Sequence, residues 1–125
     1  MVIAVDFDAT ICTYSLSGVG QDIGAFPVLK KLLQNNHKLI LMTMRDGNDL
    51  KEAVEYCKKK GVEFEWVNKN PQASWTTSPK IYANLYIDDH GINAPLIYNP
   101  EISHRPFIDW KKINDILVDM KLIEE

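Results

Sequence analysis

The chain has 125 residues, of which 46% are hydrophobic and 25% charged, and its formal net charge at pH 7 is −3. This length predicts one domain spanning residues 1–125 with a single core. The acidic balance argues against a general nucleic-acid-binding protein, which usually carries a basic face. The sequence has neither an apolar run of membrane-spanning length nor a secretion signal. We therefore expect a cytoplasmic protein with reduced thiols at Cys12 and Cys57.

Four short apolar runs predict β-strands. In chain order they are VIAV (2–5), KLILMTM (38–44), VEFEWV (62–67) and ANLYI (83–87). Near-continuous apolar runs are typical of strands that are buried on both faces of a parallel sheet. A fifth short strand is predicted at APLIY (94–98).

Segments with a helical period separate these strands. They are 27–35, 48–60 and a C-terminal segment that carries Ile113, Ile116, Leu117 and Met120 on one face. For the second helix, Asp46 or Asn48 is the candidate N-cap and Gly61 the stop. The alternation predicts an α/β fold: a Rossmann-like, doubly wound, mainly parallel sheet with helices on both faces. The long connections 11–26 and 68–80 are candidate functional loops.

Polar side chains follow three of the predicted strands where each strand ends. Asp6 and Asp8 follow the first strand, Thr43 ends the second, and the pair Asp88 and Asp89 follows the fourth. The carboxyl ends of parallel strands share one edge of the sheet, which is where open α/β folds bind ligands. Four carboxylates gathered at that edge need a cation, and oxygen ligands of this kind suit Mg²⁺.

Lys80 precedes the fourth strand and supplies a positive charge. A metal ion, a lysine, a hydroxyl and free backbone N–H groups together describe a cradle for a phosphoryl group. The motifs DFDAT, LMT, Lys80 and IDD, in this order, resemble the four motifs of the haloacid dehalogenase (HAD)-type phosphatases. The resemblance covers about residues 2–90, and Ala9 stands where glycine is common in that family.

The resemblance implies an enzyme, a Mg²⁺-dependent phosphomonoesterase that forms an aspartyl-phosphate. Asp6 would be the nucleophile and Asp8 the general acid and base, while Thr43 and Lys80 would hold the phosphate. Thr10 is expected to tie the first loop together by a hydrogen bond from its hydroxyl to the backbone.

The resemblance also implies the Mg²⁺ ligands. They would be the Asp6 carboxylate, the Asp8 backbone carbonyl and Asp88, with Asp89 as a second ligand or a partner of one. Which of the last two aspartates touches the metal is left open. Arg45 is open between a substrate contact and a polar residue at a helix start, and His90 is expected to be a solvated loop histidine.

The connections leave no room for a cap domain, so a capless HAD-like core is expected, with an open site that a large substrate or a partner subunit would cover. A phosphorylated small molecule or a nucleotide is the expected substrate, and a nucleic-acid end is less favoured. No membrane partner is expected, and a homo-oligomer is left open. Two alternatives are a receiver-like phosphoacceptor signalling module and an inactive binding protein with a HAD fold. The receiver order, with its acidic pair on the first strand and its acceptor on a middle strand, differs from the order here.

Overall fold

The computed structural model describes residues 1–70 and 74–125 of the chain. Residues 71–73, which belong to the predicted functional loop 68–80, lie outside the described residues. The elements in chain order are β1 (Val2–Val5), α1 (Ala25–Gln34), β2 (Lys38–Leu41), α2 (Gly47–Lys59), β3 (Trp66–Val67), β4 (Leu85–Ile87), β5 (Leu96–Ile97), β6 (Phe107–Ile108) and α3 (Trp110–Asp119).

Four strands form a parallel sheet in the order β3-β2-β1-β4. In its register, Ile3 of β1 lies between Leu39 of β2 and Leu85 of β4. The predicted α/β fold with a Rossmann-like parallel sheet flanked by helices is confirmed. Because β1 and β2 end side by side with β4, the residues that follow these three strands meet at one edge.

The strands predicted at 38–44 and 83–87 are shorter than expected, at residues 38–41 and 85–87, and two further strands differ more strongly. The segment 94–98 forms a strand at residues 96–97, but this strand pairs antiparallel with β6 in a separate hairpin. The third strand is confined to residues 66–67. The residues before it complete the end of α2, since the N–H of Val62 donates to the carbonyl of Cys57 at 2.9 Å.

The main core lies between the sheet and the three helices. Ile3 and Val5 of β1 pack there together with buried residues of α1, α2 and α3. Ala4 and Ile40 face the other side of the sheet, where a smaller cluster includes Ala83. Residues 68–70 and 74–84, the described parts of the connection from β3 to β4, contain no helix. The described part of this connection therefore covers this face of the sheet with loop side chains such as Ile81.

The helix ends follow their local sequence. Asp46 occupies the N-cap of α2, as predicted, although its side chain makes no capping hydrogen bond. Gly61 adopts the left-handed conformation, with φ of 90°, just after the end of α2. The Asp109 carboxylate caps α3 by accepting from the backbone N–H groups of Lys111 and Lys112.

Helix α3 is joined to the loop after β1 by a buried hydrogen bond. The indole N–H of Trp110 donates to the carbonyl of Thr10 at 2.6 Å, and both residues are almost fully buried. The C-terminal helix therefore helps to fix the loop that carries the first candidate site residues. None of the helices in residues 1–70 and 74–125 is both long and apolar enough to cross a membrane.

Candidate functional site

A cavity of about 270 Å³ opens at the carboxyl ends of β1, β2 and β4. It is lined by the four candidate aspartates together with residues from neighbouring loops: Asp6, Asp8, Ala9, Tyr14, Thr43, Met44, Asp88, Asp89, His90 and Arg105. Five of the six residues that the sequence singled out as catalytic or metal-binding thus line one cavity, and Lys80 is the exception.

Asp6 lies at the base of this cavity, directly after β1. Its backbone N–H donates to the carbonyl of Ile87 at 3.0 Å and continues the pairing of β1 with β4. Burial, a hydrogen bond with Asp89 and the charge of Asp88 raise the pKa of Asp6 from 3.8 to about 8. The raised pKa expresses mainly the cost of burying the Asp6 carboxylate, with a smaller contribution from its acidic neighbours.

Thr10 connects the loop after β1 with the loop after β4. Its buried hydroxyl lies 3.1 Å from a carboxylate oxygen of Asp6 and 3.1 Å from one of Asp89, and it accepts from the backbone N–H of Asp89 at 3.1 Å. The expected hydrogen bond between this hydroxyl and the backbone is present, but it joins two loops instead of closing one. Thr10 thereby fixes the separation of the two acidic segments.

Arg45 forms a bidentate ion pair with Asp8. Its Nε and Nη2 atoms donate to the two carboxylate oxygens of Asp8, each at 2.8 Å. The guanidinium also lies 4.7 Å from the ring centroid of Phe7 and donates to the carbonyl of Gly18 at 2.9 Å. The hydrogen bonds to Asp8 raise the pKa of Arg45. Of the two roles left open for Arg45, the structure therefore favours neither: its guanidinium orients the candidate acid.

Thr43 follows β2 by two residues and is held through its backbone N–H and its hydroxyl. Its backbone N–H donates to the side-chain carbonyl of Asn68 at 2.8 Å, and its hydroxyl accepts from the backbone N–H of Arg45 at 3.1 Å. Asn68 follows β3 directly and adopts a left-handed conformation, with φ of 51°. Asn68 carries the same sequence signal as Thr43, a polar residue at a strand end, but it was not among the predicted site residues.

The loop after β4 carries a group that could hold a metal ion. Asp88, Asp89 and His90 each offer a ligand atom, and these atoms lie within 4.8 Å of one another. The backbone N–H of His90 donates to a carboxylate oxygen of Asp88 at 3.0 Å. The Nε2 atom of the His90 ring lies 3.4 Å from a carboxylate oxygen of Asp89. The His90 side chain is 86% exposed, as expected of a solvated loop histidine. Asp6 adjoins this group through Asp89 and Thr10.

Lys80 is exposed and does not line the cavity. Its backbone carbonyl accepts from the side-chain amide of Asn70 at 2.7 Å, and its backbone N–H donates to Ser78 at 3.3 Å. Among the described residues, Arg105 takes this place, as the lysine or arginine side chain that lines the cavity. Arg105 precedes β6 by two residues, and no local pattern in the sequence marked it or its neighbour Tyr14 as site residues.

The segment 11–24 forms a compact flap beside the cavity. Cys12 pairs with Asp22 in an antiparallel bridge, and the backbone N–H of Thr13 donates to the carbonyl of Gln21 at 2.9 Å. A Cβ atom at Gly20 would overlap the backbone carbonyl of Thr13, so this close approach requires glycine. The flap positions Tyr14 at the cavity.

Both cysteines are buried and free. Burial raises the pKa of Cys12 and of Cys57 to about 12. Neither thiol is therefore activated as a nucleophile.

A second cavity of about 250 Å³ lies between β4 and α3. Its lining is mainly apolar and includes Ile92, Ile113 and Met120. Asp88 also lines it, but Asp6, Asp8, Asp89 and Thr43 line the first cavity and not this one. The chemistry is thus concentrated at the carboxyl edge of the sheet.

Comparison with known proteins gives one solved structure to set beside this chain, that of a conserved protein coded by a locus of Bacteroides thetaiotaomicron. The two chains are 36% identical, the match covers 97% of this chain and 91% of that one, and the TM-score is 0.77. No protein-family model and no curated protein matches the chain. At this identity and coverage, the chain belongs to the same family as the conserved Bacteroides thetaiotaomicron protein.

Proposed function

We propose that the chain is a Mg²⁺-dependent phosphatase of the haloacid dehalogenase superfamily, which hydrolyses phosphomonoesters through an aspartyl-phosphate on Asp6. The observation that carries the proposal is the shared cavity of Asp6, Asp8, Thr43, Asp88 and Asp89 at the carboxyl edge of a parallel sheet. The chain order of the motifs supports the same assignment.

The donor set fits Mg²⁺. Asp6, the backbone carbonyl of Asp8, Asp88 and Asp89 offer oxygen atoms, which this ion prefers. Burial, Asp89 and Asp88 raise the pKa of Asp6 to about 8, and a cation bound beside Asp6 would favour its ionised form. When bound, Mg²⁺ would offset the negative charge of the carboxylates and of the phosphoryl oxygens.

In the first step, a carboxylate oxygen of Asp6 attacks the phosphorus atom in line with the leaving oxygen. The bond from phosphorus to the leaving oxygen breaks, its electron pair goes to that oxygen, and Asp8 supplies the proton. Thr43 lines the cavity and would donate a hydrogen bond to the phosphoryl group.

In the second step, a water molecule attacks the phosphorus of the aspartyl-phosphate while Asp8 takes a proton from that water. The bond between phosphorus and the Asp6 oxygen breaks, which releases inorganic phosphate and restores the carboxylate. Arg45 engages both oxygens of Asp8. We therefore expect Arg45 to orient Asp8 throughout and to release one of these oxygens when Asp8 carries its proton.

The substrate that we propose is a phosphorylated small molecule or a nucleotide. A cavity of about 270 Å³ is small for a ligand site and accommodates a phosphate group with part of its leaving group. The exposed Met44 at the cavity offers an apolar contact to that leaving group.

Hydrolysis of an aryl phosphate tests the proposal. The wild-type chain is expected to release the phenol with Mg²⁺ and not with a chelator, and Asp6→Asn and Asp8→Asn are each expected to abolish turnover. Asp46→Asn is the matched control, because this exposed aspartate lies outside the cavity. Stable phosphorylation from acetyl phosphate without turnover would instead favour the receiver-like alternative. Mg²⁺ binding with neither activity would favour the inactive binding protein.

A further inference from the structure

Two loops that are distant in the sequence meet at the candidate active site. Tyr14 belongs to the flap 11–24, and Arg105 belongs to the connection between β5 and β6. The guanidinium carbon of Arg105 lies 3.7 Å from the centroid of the Tyr14 ring. The His104 ring contacts the same Tyr14 ring edge to face, with 6.0 Å between the ring centroids. The short separation between Arg105 and Tyr14 is a stacked cation–π contact, which restrains the arginine side chain.

The stacked guanidinium retains its hydrogen-bonding capacity. Arg45 has its donors on Asp8 and on Gly18. Arg105, by contrast, makes no ion pair and no side-chain hydrogen bond with any of residues 1–70 and 74–125 that the structure describes. A guanidinium stacked by its face on a ring leaves the N–H groups at its edge available to an anion.

The charge of the cavity calls for such a cation. Asp6, Asp8, Asp88 and Asp89 line it, and Arg105 is the lysine or arginine that lines it with them in the described part of the chain. A phosphomonoester that enters this cavity brings further negative charge. Its binding therefore needs a positive group beyond the metal ion.

We propose that Arg105, held on Tyr14, binds the phosphate group of the substrate and fills the role that the resemblance assigned to Lys80; this inference rests on the proposed phosphatase function. Planar guanidinium groups bind two phosphate oxygens at once, which an ammonium group does not do. The flap and the β5–β6 connection would then together form the recognition element of a site without a cap domain.

Binding of inorganic phosphate, the reaction product, tests the assignment without requiring the natural substrate. Its inhibition constant is measured in competition with an aryl phosphate in the presence of Mg²⁺, alongside KM and kcat. Arg105→Ala is expected to weaken phosphate binding by roughly 10- to 100-fold, the size of effect for a lost hydrogen-bonded charge. Arg105→Lys should recover part of this loss.

The stack is tested by a second pair of variants. Tyr14→Leu should weaken phosphate binding by less than Arg105→Ala, because the arginine remains but loses its support. Tyr14→Phe keeps the ring and should rescue most of that loss. Lys111→Ala removes one exposed positive charge from α3, outside the cavity, and controls for net charge.

Several results would overturn the assignment. Unchanged phosphate binding and KM in Arg105→Ala, with normal turnover, would remove Arg105 from the site and leave the phosphatase proposal intact. Loss of phosphate binding in Lys80→Ala but not in Arg105→Ala would return the role to Lys80. A wild-type chain that neither turns over aryl phosphate nor binds inorganic phosphate would defeat both proposals together.

Discussion

Ala9 lies between the two halves of the first motif in a left-handed conformation, with φ of 61°. Its side chain is 4% exposed, and its carbonyl accepts from the backbone N–H of Ile108 at 3.0 Å. The resemblance marked this position as one where glycine is common, and the positive φ gives the physical reason, since glycine adopts it without steric cost.

Substitutions at Ala9 test this backbone strain. Ala9→Val should lower the free energy of unfolding by roughly 2 kcal/mol or more, because β-branched residues are rare at positive φ and the site is tightly packed. Ala9→Gly should stay within about 1 kcal/mol of the wild type, since relief of strain offsets the lost methyl group. Urea unfolding of both variants measures the difference. An equal stability of the two variants would contradict the account.

Because the Arg45 guanidinium holds Asp8, the proposed acid, substitution of Arg45 should change kcat more than KM. Arg45→Lys removes the fork that contacts both carboxylate oxygens of Asp8. We expect a fall in kcat of about 10-fold or more with little change in KM. Steady-state kinetics on an aryl phosphate measure this split, and a thermal melt checks that the variant is folded. A raised KM with an unchanged kcat would mean that Arg45 contacts the substrate instead.

At the scale of single residues, the sequence was informative where a candidate site residue follows a strand end. Asp6, Asp8 and Thr43 could be found because polar residues that follow apolar runs stand out. Arg105 carried no such signal, since its position at the cavity depends on how the β5–β6 connection folds back over the sheet edge. Lys80 is the opposite case: its position before β4 made it a candidate site residue, but it does not line the cavity.

At the scale of elements, the link from α3 to the first loop is open to a direct test. Trp110→Phe keeps most of the buried apolar surface but removes the indole donor and leaves the buried carbonyl of Thr10 unpaired. The free energy of unfolding should fall by about 1–3 kcal/mol. Trp66→Phe is the matched control on the opposite face of the sheet, where Trp66 is only half-buried. An equal loss in the two variants would argue against the hydrogen bond.

The predicted and observed limits of the helices and strands agree where a local sequence signal marks the end of the element. Helix α2 began and ended close to its predicted limits, because Asp46 and Gly61 mark its two ends. The pattern VEFEWV predicted a strand over 62–67. The backbone N–H of Val62 instead bonds to the carbonyl of Cys57 in the turn after α2, and residues 66–67 pair with β2. The apolar residues of 94–98 predicted the strand at 96–97. Its antiparallel pairing with β6 depends on tertiary structure, which the local sequence pattern does not indicate.

At the scale of the whole molecule, the buried carboxylate of Asp6 couples stability to pH. The folded chain holds a proton on Asp6 up to a pH of about 8, whereas the unfolded chain releases it near its ordinary pKa of 3.8. Between these values the folded state binds more protons, so its stability falls as the pH rises. Without metal, this contribution is fully present below pH 3.8 and is lost as the pH passes through about 8.

Urea unfolding in a chelator at a pH of about 5.5 and of about 8.5 should therefore show lower stability at the higher pH. Added Mg²⁺ should restore stability at the higher pH, because a bound cation replaces the proton among the carboxylates. In Asp6→Asn this component of the pH dependence should be absent. A metal-free wild type that becomes more stable over the same range, with no response to Mg²⁺, would contradict the arrangement of charges.

The proposed aspartyl-phosphate on Asp6 can be trapped during turnover. The chain is mixed with an aryl phosphate and Mg²⁺, quenched in acid within the first turnovers and digested for peptide mass analysis. We expect the peptide that contains Asp6 to gain the mass of one phosphoryl group and the same peptide of Asp6→Asn to gain none. The added mass should disappear when the quench is delayed until the substrate is exhausted. Turnover without this added mass on that peptide, or with it on another aspartate, would contradict the proposal.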